Sequence, residues 1–482
     1  MINLNKSLNV LLAISVLFGI LLRLYNINYE NLWFDEIATF WVTDPNISLT
    51  DMFERNRTTE GAPYFYYILV YYLHKIFGYD PNIGRYFSSF LGIISIFSVS
   101  YLCSLLNKNN SYKFSIFLVS FNVYLIAYSA EFRSYMLLFF STSMTLIFII
   151  KYLNNIKDSH NSYFYLILLS LIQIINVIIH PFSFIVFFSI CLFLLINFFK
   201  NKIVYKELNY SMLITFIIIS IITFYYYFGI QIISDFNFVT QPGIKFYTNF
   251  YFSKFFGSRL LGIIHLLIFI YLLFKFKKII FDFKHPSALL FILIVLSYAL
   301  PILFGIYKPI LISRYIIFVL IPIIVLLSFF ICEIKNNLIR RSLIIIIVII
   351  TSFNQLMESN VKQFFKERNF YKPQFTQGLS YINQSSNKNY AVLVSFGSSS
   401  YSKKYFEQAY LNYFSNISKK HNLNLIPVKF SDINNKINGF WILCSTLVNK
   451  NCEKSEKNIQ LFNTVKEEKI FNNLIMKLIY LK

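Results

Sequence analysis

Charge is scarce in this chain, and negative charge is the scarcest part of it. Only 14% of the 482 residues are charged, with 22 acidic side chains against 44 basic ones. Soluble domains carry about 25% charged residues, so a single large soluble enzyme is excluded. Disorder is excluded as well, because 56% of the residues are hydrophobic and 20% aromatic, the opposite of the polar composition that keeps a chain unfolded. Cysteine is sparse too, with five in all and no Cys/His spacing of a zinc site. Cys103, Cys191 and Cys332 fall in apolar runs and read as small core residues. Cys444 and Cys452 fall in the polar tail, where they would pair only in an oxidising compartment. No small-residue cleavage site follows the N-terminal apolar run, which therefore reads as a retained first span.

What the chain has is a series of apolar runs, each of roughly 20 residues and so long enough to cross a bilayer. They fall at 8–25, 86–106, 114–129, 135–153, 163–179, 182–199, 211–230, 260–274, 287–306, 312–332 and 340–357. The net charge of +22 does not mark a nucleic-acid partner, because Lys and Arg sit in the short gaps between spans and form no basic stripe with exposed aromatics. The segment 62–77 is apolar but short, begins near Pro63 and contains His74 and Lys75. Read as a helix lying on the outer surface, it leaves the gaps 108–113, 151–160, 200–206, 275–284 and 335–341 on one side, all rich in Lys and Arg. That side is cytoplasmic by the positive-inside rule. The expected fold is an all-α polytopic membrane protein with about eleven transmembrane helices over 1–357, including a first outer loop at 26–85. A small extracytoplasmic α/β domain follows over 358–482. In that tail a polar helix is expected near 362–368, strands at 391–396, 424–430, 440–448 and 473–481, and a helix near 402–414. The Ser-rich stretch 397–404 reads as a plain turn.

On the outer side ionisable residues stand out, because charge at membrane depth is costly and marks function by default. Asp35 and Glu36 follow the first span within WFDEIATF. One of them is able to take a proton from an attacking hydroxyl, or the pair simply caps a surface helix. Glu60 precedes Pro63 in EGAPYFYYIL, either as a metal ligand or as an acidic residue at a helix start. Glu131 and Arg133 share a very short turn in AYSAEFRSYML, and Arg85 opens a span in GRYFSSFLGIISI. His180 occupies another tight turn, as a structural residue or as a ligand for metal or phosphate. Lys308 and Arg314 begin the tenth span in KPILISRYIIFVLIP, where an arginine fork suits a phosphate unless it snorkels to headgroups.

Taken in chain order, these stretches resemble the GT-C membrane glycosyltransferases. The likeness is to family-39 and Rgt-like bacterial members, relatives of the protein O-mannosyltransferases and the lipid A aminoarabinose transferase. The resemblance covers most of 1–330 and implies transfer of a sugar, with inversion, from a polyprenyl-phosphate donor to a lipid, glycan or protein acceptor on the outer membrane face. It implies Asp35 as base or acceptor-positioning group, with Glu36 beside it and Glu131 as a further acidic position. Arg314, Arg133, Lys308 and Arg85 would bind the donor phosphate, and Glu60 with His180 would hold a divalent metal if one is used. Carboxylates and arginines would then meet in one pocket of the outer leaflet, in a bacterial inner membrane. Two other readings remain at this point, a flippase for lipid-linked sugars and an O-antigen-type ligase or polymerase. The first would want internal repeats, which the sequence does not show.

Overall fold

The computed structural model describes residues 4–25, 27–59, 63–106, 111–155, 159–203, 205–229, 253–307, 310, 312–358, 372–386, 391–395, 403–420, 439–445, 464–471 and 474–480. The chain divides into two compact units, one formed by Met1–Tyr25 and Tyr86–Glu367, the other by Asn26–Arg85 and Arg368–Lys482.

The first unit is helical. It contains α1 (Leu4–Leu24), and most of α5, a helix that runs Pro81–Leu106 and crosses the unit boundary after Arg85. The second unit supplies α2 (Phe34–Val42), α3 (Leu49–Thr59) and α4 (Phe65–Phe77) in between. The first unit continues with α6 (Ser111–Ser120), α7 (Val123–Ser129), α8 (Tyr135–Asn154), α9 (Ser159–Ile179), α10 (Phe184–Asn201) and α11 (Lys206–Gly229). Further helices cover Arg259–Lys275, Ser287–Tyr307, Leu320–Cys332 and Asn337–Glu358. Among the described residues eight helices are long and apolar enough to cross a membrane, and Asn9–Leu24 and Leu260–Lys275 are shorter apolar helices. All fall on expected spans. The expected span 114–129 differs, because it is broken at Phe121–Asn122 into α6 and α7. No Pro or Gly marks the break; the Asn122 side chain accepts from Leu125 N and so starts a new helix there.

The unit's core is the stretch around the tenth span, where every side chain from Ile316 to Ile331 is buried. Its peripheral helices instead expose long apolar faces, such as Leu213, Ile217, Ile221 and Phe224 on α11 and Ile345, Ile349 and Phe353 on the helix Asn337–Glu358. Such faces are unfavourable in water and suit lipid. The three membrane-region cysteines are free, with Cys103 buried, as a small core residue should be.

The second unit joins the segment Asn26–Arg85 to the tail. Its α4 has 13 residues, about 20 Å at 1.5 Å per residue, which is too short to span the roughly 30 Å hydrocarbon layer. The helix buries Tyr66, Tyr67, Val70, Tyr71 and His74 on one side and exposes Tyr72, Ile76 and Phe77 on the other. The tail forms a four-stranded sheet in the order β1-β2-β4-β3, with β1 Ala391–Ser395, β2 Gly439–Ser445, β3 Thr464–Phe471 and β4 Leu474–Tyr480. β1 and β2 are parallel, and the other pairings are antiparallel. Two helices accompany it, Phe375–Gln384 and Lys403–Lys420. The expected polar helix 362–368, the strand 424–430, residues 397–402 and Cys452 lie outside the described residues.

Candidate active site

In the second unit Leu32, Trp33 and Phe34 lead into α2, which carries Asp35 and Glu36 in its first turn, where carboxylates complement the helix dipole. The two acids have opposite fates. Glu36 is fully buried and its carboxylate accepts from Arg85 Nη2 at 3.0 Å, Lys372 Nζ at 2.7 Å and the Trp33 backbone N–H at 3.3 Å. Burial by itself would raise its pKa, but Arg85 and Lys372 more than offset that and hold the carboxyl below the usual carboxylate range. Asp35 remains half-exposed. Its charge acts on Tyr410, whose phenol is pushed up by burial first and then by Asp35, so it stays protonated.

Arg85 is 2% exposed and spends all five of its N–H groups inside this unit. Nε donates to Glu36 Oε1 at 3.2 Å, Nη1 to the Ile27 and Glu30 carbonyls at 3.3 and 2.6 Å, and Nη2 to the Asn31 carbonyl at 3.1 Å and to Glu36 Oε2. A guanidinium has five donors and no more. Arg85 therefore clamps the 27–36 segment, and the expectation that it binds a phosphate is corrected on that count. The tail reinforces the clamp. Besides Lys372, Tyr413 accepts from the Leu32 N–H at 3.0 Å, and Tyr79 bonds Asn412 at 2.8 Å while stacking on Phe40 at 4.0 Å. Lys372, Tyr410 and Tyr413 were not singled out from the sequence.

In the first unit, three chain turns bring the remaining expected residues together. The turn between α7 and α8 carries Glu131 and Arg133, closed by Glu131 N to Tyr128 O and Arg133 N to Glu131 O. The turn after α9 carries His180, which is extended (φ −161°, ψ 133°) and caps the 3-10 turn Pro181–Ser183. Arg314 lies in the 3-10 stretch Ser313–Val319 that starts the tenth span. The Arg133 and Arg314 charges both act on His180, and Glu131 and Arg314 both act on the Tyr128 phenol. Aromatic rings line the gathering. Arg314 sits 5.8 Å from the Tyr135 ring and 5.9 Å from Tyr315, and His180 lies 5.0 Å from Tyr315 and 5.6 Å from Phe182. Residues separated by up to 183 positions in the chain, from Glu131 to Arg314, thus share one neighbourhood.

His180 has a fixed tautomer. Its Nδ1 accepts the Phe182 N–H at 3.2 Å, so in the neutral ring the proton sits on Nε2. Burial, followed by Arg133 and Arg314, lowers its pKa to about 3, and the ring is neutral at physiological pH. Its Nε2–H is a donor in the neighbourhood of two guanidiniums, whose charges both act on the ring. It is a poor metal ligand, since Nδ1 is already accepting, Nε2 carries a proton and both neighbours are positive. Among the described residues no group of three His, Cys, Asp or Glu side chains converges. The protonated Nε2 does not offer His180 as a metal ligand in this arrangement, and Glu60, expected to share that role, lies outside the described residues. Lys308 lies outside them too.

No family model matches the sequence, and no curated protein matches it. By structure, the chain is similar to ArnT from Cupriavidus metallidurans in the apo state, at 9% identity and TM-score 0.59 over 98% of each chain. It is similar to the same protein bound to undecaprenyl phosphate, at 9% identity and TM-score 0.55, over 99% of this chain and 98% of that one. An oligosaccharyltransferase from Archaeoglobus fulgidus, in complex with zinc and sulfate, matches at 11% identity and TM-score 0.51, over 90% of this chain and 68% of that one. The chain therefore shares its fold with these two proteins.

Proposed function

We propose that a chain with this fold is a glycosyltransferase that takes its sugar from a polyprenyl-phosphate donor. The observation that carries the reading is the set of donors gathered at one place in the first unit: the Arg133 and Arg314 guanidiniums and the neutral imidazole of His180. Planar guanidinium forks bind two phosphate oxygens at once, and a fixed N–H adds a direction without adding a charge. The similarity to a protein crystallised with undecaprenyl phosphate supports the same assignment.

In the reaction the acceptor hydroxyl attacks the anomeric carbon of the sugar and a new C–O bond forms there. The bond from that carbon to the phosphate oxygen breaks, and its electron pair leaves with the polyprenyl phosphate. Negative charge grows on the phosphate as it leaves, so preset cations and N–H donors stabilise the transition state more than the ground state. The hydroxyl proton passes to a carboxylate. Asp35 fits that role better than Glu36, because Glu36 is sealed against Arg85 and Lys372 whereas Asp35 is half-exposed beside a protonated phenol. Glu36, Arg85 and Lys372 hold the helix that presents Asp35. Glu131 is the second acidic group, and its charge, like that of Arg314, acts on the Tyr128 phenol. Lys308 would add a cation to the phosphate site. Attack opposite to the leaving phosphate inverts the anomeric centre. The acceptor, a lipid, glycan or protein, would be met on the extracytoplasmic face of a bacterial inner membrane.

The test is transfer of a radiolabelled sugar from a polyprenyl phosphate by purified protein. Asp35→Asn should lower the rate by roughly 10²–10⁴ while the protein still binds undecaprenyl phosphate. Full transfer activity in that variant would remove Asp35 from the reaction.

A further inference from the structure

Arg23 lies in α1, is 1% exposed, and has no ion pair among the described residues. A buried arginine in an apolar helix is costly and needs a reason. Its donors go to carbonyls: Nη1 to Gly19 at 2.9 Å and to Ser120 at 3.2 Å, and Nη2 to Val119 at 2.9 Å. Val119 and Ser120 end α6, just before the break at Phe121–Asn122. A helix C-terminus leaves carbonyls without intrahelical partners and carries partial negative charge, and here a guanidinium covers it. The packing at the break is close. A Cβ on Gly19 would come within 2.6 Å of Ser120 Oγ, and one on Gly92 within 2.2 Å of Ser129 Oγ and 3.1 Å of Arg23 Nε. Beyond the break, the Ser89 hydroxyl lies 2.9 Å from the Arg23 carbonyl and 3.0 Å from that of Ser129, the last residue of α7. Two residues later come Glu131 and, after Phe132, Arg133.

We infer that Arg23 is a positioning residue for the phosphate site: by covering the end of α6 it fixes the break, and the break aims α7 and the Glu131–Arg133 turn that α7 delivers. A straight helix through 111–129 would carry that turn along a different axis. Arg23 itself touches no reacting group. The inference rests on the reading of Arg133 as a phosphate ligand, but the placement of the turn can be measured without any ligand.

The experiment uses full-length protein with a reporter thiol, Ser134→Cys, in the same turn, with labelling of the parent subtracted. Arg23→Met should change the maleimide labelling rate of that thiol about tenfold, the size expected if some 1.4 kcal/mol of positioning is lost. Ser89→Ala, which adds no volume and removes only the bridging hydroxyl, should change it about threefold in the same direction. Arg23→Lys should recover little, because an ammonium cannot span carbonyls of two helices. Undecaprenyl phosphate affinity should fall about tenfold in Arg23→Met, and the loss should vanish when Arg133→Met is already present, since coupled residues are not additive. A general loss of stability would instead multiply the two effects, and that result overturns the inference. Unchanged labelling in both Arg23→Met and Ser89→Ala overturns it too. Should Arg23→Met not fold, Ser89→Ala and Arg23→Lys decide alone. Failure of the unmodified protein to bind undecaprenyl phosphate would reject the proposed function, while the labelling rates would still judge the role of Arg23.

Discussion

Two clusters of charge in this molecule are built from the same residue types and reach opposite states. In the second unit Glu36, Arg85 and Lys372 close on one another, and every donor of Arg85 is spent on Glu36 or on a backbone carbonyl. In the first unit Arg133 and Arg314 act on the neutral imidazole of His180, with Glu131 in the same neighbourhood. The first arrangement resembles a core, where buried charges persist because each is matched. The second brings Arg133, Arg314 and an imidazole N–H together with Glu131 and a set of aromatic rings, groups of the kind that bind a phosphate. Arginine alone does not mark a phosphate site: every Arg85 donor goes to Glu36 or a backbone carbonyl, whereas Arg314 lies among aromatic rings near a neutral imidazole.

The strongest way to break the comparison is to unmatch the closed cluster. Glu36→Gln leaves a buried Arg85 and a part-buried Lys372 without their carboxylate and should cost about 3–5 kcal/mol, seen as a lowered melting temperature and poor recovery of folded protein. The same residue has a pH signature. Its folded pKa is below the usual value of 4.5, so its stabilisation is complete above that value and is lost as the pH falls towards the folded pKa. The gap in melting temperature between wild type and Glu36→Gln should therefore narrow on acidification below about pH 4.5. A gap that widens would contradict the direction assigned to Glu36.

Arg314→Met should then lower sugar transfer by roughly 10², read in the same labelled-sugar assay. Arg85→Lys keeps the charge but loses the fork and its carbonyl bonds, for about 1–3 kcal/mol of stability. Its undecaprenyl phosphate affinity should stay near wild type. The smallest effect belongs to His180→Gln, which replaces a neutral N–H donor by another. Affinity should fall only a few-fold, about the value of one neutral hydrogen bond. The pH profile of binding between about pH 5.5 and 7.5 should be unchanged, because the imidazole has no charge to lose there. A profile that changes shape would mean that His180 titrates in this range.

Much of this layout was legible before any coordinates. Apolar length gave the spans, and the cost of charge in a membrane picked out Glu131, Arg133, His180 and Arg314, which the fold does gather. Other parts were not legible, for local reasons. Arg85 is one of several arginines near span ends, and only the positions of surrounding carbonyls show that its donors are all used within the 27–36 segment. Lys372 sits in a polar tail with many lysines and has no local mark. The break between α6 and α7 interrupts a continuous apolar run with neither Pro nor Gly; Asn122 and a distant Arg23 were the available signals. Strand β3, TVKEEKIF, has four consecutive charged residues that hide any strand alternation, and the helix Phe375–Gln384 shows its apolar spacing of Phe375, Leu379 and Ile382 only over a short stretch.

The most direct measurement is native mass spectrometry of undecaprenyl phosphate bound to wild type, to Arg133→Met/Arg314→Met and to Arg85→Lys, at one lipid concentration. The account requires retention by wild type and by Arg85→Lys and loss of the bound lipid in the double variant. Equal retention in the double variant would contradict the assignment of the first unit's arginines to a phosphate.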